Sequence, residues 1–464
     1  MTPQTATAPA RPSLLARYGP LTAIVVAIGL VAALASTGGD TQAETTASTS
    51  EEVGSSNDQL PIYFQDVAEE GDTGEYDFGE KCDPETGRVK VPSLYSPPCV
   101  AARPGVEGGA TSPGVTADEI TIVLYEAADD DLAASLSANL DTAEQALQTR
   151  QDLLALYEDR FELWGRTLDV VPMKGSGSDE TSARADAVKV AEEIGAFASI
   201  GGPGQESAYA EELARRGVVC IGCGLSLPDS AIQEHAPYLW SVGQTPEQYL
   251  LNLGDFLINR LSGQPAEFAG SEELRERERV FGVVHFEQDP PVFGGVEEIA
   301  AERGGERGYE SVVNLTYQLV ISDLPEKARV LVARLKEAEV TSVIFLGDPI
   351  MPIYLTQAAT DQDYFPEWII TGTVLTDTTV FGRQYDQEQW AHAFGVSSLP
   401  ARLPQTGGEA FRLYEWYYGE APPAPKTVAV LYEPIRVLMA GLTMAGPDLT
   451  PETFRDGLLS LIHI

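Results

Sequence analysis

Residues Phe197–Leu227 read FASIGGPGQESAYAEELARRGVVCIGCGLSL. Phe197 to Ile200 is a short apolar run without helical period, and Gly201, Gly202, Pro203 and Gly204 then break the backbone. Ser207 is a residue type suited to a helix N-terminus. Ala208 to Arg216 reads as a helix, with basic residues in its last turn and Gly217 just beyond. Val218 to Ile221 opens the next strand, which ends at Gly222, Cys223 and Gly224. The stretch is a βαβ unit, so its strands are parallel and its connection right-handed. In such units the loops at the C-terminal strand ends face ligands, and a helix N-terminus offers free N–H groups to an anion. No Gly-Lys-Ser/Thr follows the glycines, so the turn is not a P-loop, nor is it a clean G-x-G-x-x-G fingerprint. Alone it reads equally as a plain tight turn and as a ligand-contacting one. The order of the surrounding elements decides between them.

Outward from this unit, strands and helices alternate from Gly114 onward. Before it come a strand at Ile120–Tyr125, a long helix at Leu140–Leu163, a strand at Arg166–Met173 and a helix at Glu180–Ile194 opened by Ser178 and Asp179. After it come an extended run at Tyr238–Val242 and a helix from Thr245-Pro246-Glu247 through Arg260. The charged run Glu272–Arg279 reads as a solvated helix end or loop. A second series then begins, with strands at Val280–Phe286, Ser311–Leu319, Ser342–Leu346, Trp368–Thr371 and Ala393–Val396. Helices at Gly295–Arg303, Pro325–Ala338 and Met351–Thr360 separate them, and helices at Glu409–Tyr418, Thr427–Ala445 and Pro451–Leu458 close the chain. Two successive series predict an α/β protein of two lobes, each a mainly parallel sheet flanked by helices.

Composition narrows the function classes. The chain has 464 residues and a formal net charge of −40, which disfavours binding to nucleic-acid phosphates. Arg11 and Arg17 precede an apolar run, Leu21–Ala35, so the bulk of the chain is expected to cross a membrane. Ala33-Leu34-Ala35 resembles a cleavage site, whereas the stretch from Tyr18 nearly reaches the length of a spanning helix. A cleaved signal and a retained anchor over residues 1–36 both stay open. Residues 37–59 read as a disordered Thr/Ser/Glu/Gly linker, and 60–113 as an irregular extension. Within that extension Cys82 and Cys99 bracket a turn-rich loop, and a disulfide there would contribute about 3 kcal/mol on the loop-entropy account. Cys220 and Cys223 form a C-x-x-C that begins inside a strand, which fits a tight local disulfide or two packed thiols better than a redox motif. No second ligand pair accompanies it, so no metal and no cofactor are expected.

The order of elements resembles the type I periplasmic binding proteins, specifically the branched-chain amino-acid (Leu/Ile/Val) binding family of ABC transporters. The resemblance runs from Gly114 to about Leu458. It is carried by GVTADEITIVL (114–124), SARADAVKVAEEIGAFASIGGPG (182–204), RVFGVVHFEQDPPVFGG (279–295), TSVIFLGDP (341–349), EWIITGT (367–373) and AFGVSSLP (393–400). It implies a first lobe of 114–243 and 392–458, a second of 244–391, and a ligand cleft between them. By position it places Gln205 and Ser207 on a ligand carboxylate, Gly222 and Cys223 at the cleft floor, and Tyr125 and Glu126 at the end of the first strand facing the cleft. Phe293 would cover the ligand from the second lobe. The implied function is extracytoplasmic binding of a small polar ligand and its delivery to a membrane permease.

Departures from that family matter. Where amino-acid binders offer a carboxylate to the ligand's ammonium, this chain has Thr373-Val374. The run Asp129-Asp130-Asp131 either replaces that charge or is a solvated acidic loop. The chain ends in LSLIHI (459–464), which resembles a sequencing adapter. The expectation is a truncated gene whose last six residues are foreign and whose second lobe lacks its return strands. Two other function classes compete with this reading. An enzyme finds no support in H-E-x-x-H, G-x-S-x-G or P-loop motifs, although His285 ends a strand at the expected cleft. A sensory ectodomain would use the same fold with a retained anchor.

Overall fold

A computed structural model describes residues 60–460, apart from 104, 106–107, 132–139, 205–206, 224–226, 288–310 and 398–403. The N-terminal segment, the linker, the expected helix at Gly295–Arg303, Gln205 and Phe293 lie outside the described residues.

The first lobe is built on β1 (Glu119–Glu126). Ile120, Ile122 and Leu124 face one helical layer, and Val123 and Tyr125 face the other. Because both faces are covered, Ile122–Tyr125 is buried without a break. It pairs in parallel with β2 (Thr167–Lys174) on one side and β3 (Ala198–Ile200) on the other. β4 (Val219–Ile221) and β5 (Leu239–Trp240) follow, giving the order β2-β1-β3-β4-β5. α1 (Ala143–Arg160) starts in a capping box made by Thr142 and Gln145. α2 (Glu180–Val188) is capped by Asp179 and continues as a wider π-turn over Lys189–Ile194. α3 (Ala208–Arg215) joins β3 to β4. The βαβ unit read from the sequence is therefore present, with Gly217 in the left-handed conformation just past α3 (φ 78°).

α4 (Pro246–Phe256), opened by a Thr245–Gln248 capping box, belongs to the second lobe. Its Leu250 and Leu253 pack under β6 (Phe281–Phe286) and its neighbours. The second sheet adds β7 (Ser311–Tyr317), β8 (Ser342–Leu346), β9 (Glu367–Ile370) and β10 (Ala393–Gly395) in the all-parallel order β7-β6-β8-β9-β10. α5 (Leu324–Glu337) and α6 (Met351–Asp361) cover its other face. Two differences from the sequence reading appear here. β10 pairs with β9, so the strand over 393–395 lies in the second sheet and not in the first lobe. Arg279, read as part of a solvated charged run, is buried against Glu367.

α7 (Glu409–Tyr418), α8 (Val428–Ala445) and α9 (Pro451–Ser460) pack on the first lobe. α8 is apolar enough to pass for a membrane span, but it lies in the core beside α1 and α9. The extension is irregular, with pairs of two-residue antiparallel strands tied by a Cys82–Cys99 disulfide. It docks on the first lobe through Val89, a Ser93–Glu409 hydrogen bond and Thr111 donating to the Leu449 carbonyl.

Candidate functional site

In both sheets the strand order reverses between the first strand and the third. The C-terminal ends of β1 and β3, and of β6 and β8, are thus the topological switch points, where open α/β sheets bind ligands.

At the first switch point three strand-end loops are stitched together. The Gly201 N–H donates to the Ile221 carbonyl (3.1 Å), and the Gly222 N–H to the Trp240 carbonyl (2.9 Å). Gly202 must be glycine, because a Cβ there would stand 2.4 Å from the Cys223 carbonyl oxygen. The Gly204 N–H donates to the Asp131 carboxylate at 3.0 Å. Asp131 is buried, 2% exposed, so it is not part of a solvated acidic loop. Its neighbours behave differently: exposed Asp129 pairs with Lys174 (3.0 Å), and Asp130 accepts from Ser178 (3.1 Å). Asp131 therefore brings the chain's own anion to the turn where a ligand carboxylate was expected.

The residues singled out from the sequence fall into two groups. Glu126, Ser207 and Gly222 are half-buried at the strand ends. Ser207 starts α3 without capping it, since its hydroxyl donates instead to Glu211 at 3.0 Å. Tyr125, Cys223 and Thr373 are buried and act from beneath. The Tyr125 hydroxyl donates to Asp186 (3.1 Å), and its ring lies 4.7 Å from that of Tyr209. Burial, and then Asp186, push that hydroxyl far above the usual tyrosine range. Cys223 is bonded to Cys220, which selects the disulfide from the two states the sequence left open. Its side chain has no exposed face to offer a ligand.

Thr373 lies at the C-terminal end of the second sheet. Its hydroxyl accepts from the Gly347 N–H (3.2 Å) and donates to the Gly347 carbonyl (3.1 Å), clamping the loop after β8. The next residues, Val374 (φ 41°) and Leu375 (φ 64°), are non-glycine residues held at positive φ, a conformation that costs roughly 1–3 kcal/mol each and collects at ligand clamps. In the loop after β8, Asp348 accepts from the Ile350 and Met351 N–H groups at the start of α6 (2.7 and 3.0 Å) and from the buried Tyr317 hydroxyl. His285 is buried at the end of β6, with Nδ1 beside the Phe286 carbonyl (3.2 Å).

Sequence reasoning missed Arg150. It extends from α1 to the end of β1, where Nη1 donates to the Tyr125 carbonyl at 3.0 Å. The same carbonyl oxygen lies 3.4 Å from the point that a Cβ on Gly201 would occupy, so the guanidinium sits at the first switch point. A signal existed: Arg150, Leu153, Leu154 and Tyr157 share one helix face, and a cation on an apolar face marks a buried charge.

No protein-family description and no curated protein matches the chain. Solved structures do. A fatty acid ABC transporter substrate-binding protein from Thermomonospora curvata is 16% identical with a TM-score of 0.53, over 77% of this chain and 83% of that one. A solute binding protein of an ABC transporter from Rhodopseudomonas palustris BisB5, in complex with 3,4-dihydroxybenzoic acid, is 14% identical with a TM-score of 0.51, over 73% and 84%. A periplasmic binding protein type 1 from Bordetella pertussis Tohama I is 14% identical with a TM-score of 0.52, over 74% and 88%. Similarity at these identities speaks for fold. With its two doubly wound sheets of equal strand order, this chain has the two-lobed fold of the type I periplasmic binding proteins of ABC transporters.

Proposed function

We propose that this chain is an extracytoplasmic solute-binding protein. It takes a small polar ligand, of the amino-acid, amide or small-carboxylate class, between its lobes and delivers it to the membrane permease of an ABC transporter. The observation that carries this reading is the pair of switch points, one per lobe, each built from strand-end loops locked in place by buried hydrogen bonds. Rigid loops of this kind preorganise a binding surface. A binding role in place of a catalytic one fits the site, whose buried polar side chains hold loops. Glu126, Ser207 and Gly222 are the candidates to line the first lobe's side, with Tyr125, Cys223 and Thr373 supporting them, while Gln205 and Phe293 are assigned to the ligand by the family resemblance alone. The two disulfides fit a protein that works outside the reducing cytoplasm, anchored through residues 1–36 or released. Two of the similar structures are named for carboxylic acids, which lie within the proposed ligand class.

Ligand held from both sides should close the lobes, because closure desolvates contacts on each. Small-angle scattering should give a smaller radius of gyration for the chain saturated with a molecule that it binds in titration. An unchanged radius at saturation contradicts a two-lobed binding mode.

A further inference from the structure

At the first switch point, groups that an incoming anion would seek are already engaged. The Gly204 N–H holds Asp131, the Ser207 hydroxyl holds Glu211, and the Tyr125 hydroxyl holds Asp186. Arg150 is different. It is nine-tenths buried, with 9% of its surface exposed. Its Nη1 bonds the Tyr125 carbonyl, while its buried Nε has no hydrogen-bond partner among the described residues. No carboxylate among the described residues closes an ion pair with it, in a chain that carries 70 Asp and Glu against 30 Lys and Arg. Burial lowers its pKa below the ordinary arginine value, and Glu126 acts through space in the opposite direction. Arginine nevertheless stays charged in proteins.

A buried cation that no carboxylate bonds directly is expensive for a fold to keep. Hydrogen bonding to one carbonyl uses a single N–H of five, and Glu126 offsets the charge only through space. The Nε side of a guanidinium is an edge that carboxylates grip with two parallel hydrogen bonds. Here that edge belongs to a side chain fixed beside the Tyr125 carbonyl and the Gly201 turn, at the crevice between β1 and β3. Arg150 thus combines the unfilled charge with a fixed position.

We propose that Arg150 is the anion-recognition residue of this site, and that the ligand carries a carboxylate that pairs with its guanidinium. The proposal rests on the solute-binding reading above and narrows it. Neutral amides become poor ligands, and the helix start at Ser207 becomes secondary to Arg150. Glu126 becomes a neighbour that weakens anion binding by repulsion.

The test is calorimetric titration of the full chain, freed of bound small molecules, with three matched pairs: benzoate and benzamide, octanoate and octanamide, leucine and leucinamide. The carboxylate of at least one pair should bind, and its amide should bind at least tenfold more weakly. Arg150→Met should weaken the carboxylate by roughly a hundredfold, and Arg150→Lys, which keeps the charge but loses the fork, by about tenfold. Glu126→Gln should strengthen it severalfold. Without ligand, Arg150→Met should melt no lower than the parent, because it removes an unpaired buried charge. A purely structural Arg150 would instead lower the melting temperature and leave affinity intact. That result, or equal binding of acid and amide, overturns the proposal while leaving a solute-binding protein. If no member of any pair binds, the solute-binding reading falls with it.

Discussion

Replacing Glu367 by alanine should lower the unfolding free energy by about 3–5 kcal/mol, the range for leaving one partner of a buried ion pair alone. The Glu367 and Arg279 side chains are 0% and 2% exposed. The carboxylate accepts from Arg279 Nε (2.8 Å) and Nη2 (3.0 Å), from the Phe268 N–H (3.0 Å) and from the Ser342 hydroxyl (2.5 Å). It thereby ties the starts of β6, β8 and β9 to the loop before them. Alanine removes these bonds and strands the guanidinium. Equilibrium urea unfolding measures the loss. The double replacement Arg279→Met with Glu367→Leu should recover most of it, because two apolar side chains leave no buried charge. Ligand affinity should change little, since the pair sits at the N-terminal edge of the second sheet, away from the switch point. A loss below about 1 kcal/mol, the value of an exposed pair, would contradict the buried clamp.

Gly202→Ala should harm both stability and binding. The new Cβ would stand 2.4 Å from the Cys223 carbonyl oxygen and 3.0 Å from its carbonyl carbon. Both are backbone atoms pinned by the Cys220–Cys223 disulfide and by the Gly222 to Trp240 hydrogen bond, so neither yields as a flexible side chain would. Overpacking of this kind costs about 1–3 kcal/mol. The loops after β3 and β4 must then part, which misplaces the Gly201 turn, and a misplaced binding loop should weaken ligand by at least tenfold. Gly195→Ala is the matched control. Its φ of 70° also disfavours alanine, but no atom lies within 4 Å of its added Cβ, so it should lose stability without losing affinity. Equal affinity losses in both variants would contradict a local role for Gly202.

Much of the architecture was legible in the sequence because burial imposes period on it. The near-continuous apolar runs at β1, β6 and β8 announce strands covered on both faces, and capping residues mark the helix starts at Glu180 and Pro246, while the start at Ala143, read from Leu140, became clear only from its Thr142 cap. What was not legible depends on partners distant in the chain. Arg279 sits in the run ELRERER and looks solvated until Glu367, 88 residues later, is folded against it. Asp131 looks like one of three equivalent acids, and only the fold brings the Gly204 N–H to it alone. Ser207 looks like a helix cap, yet Glu211 one turn on takes its hydroxyl. The strand at Ala393–Gly395 has no sequence feature that says which sheet it joins. Pairing with β9 decides that. The strand-end glycines were legible as backbone breaks after short apolar runs, whereas Arg150 needed the third dimension.

The most direct measurement is native mass spectrometry of the unliganded chain after incubation with a filtered small-molecule extract of cells. A single small molecule should be retained per chain, identified after release as a carboxylic acid, and lost when Arg150 is replaced by methionine. A chain that stays at its bare mass at every extract concentration would contradict solute binding itself.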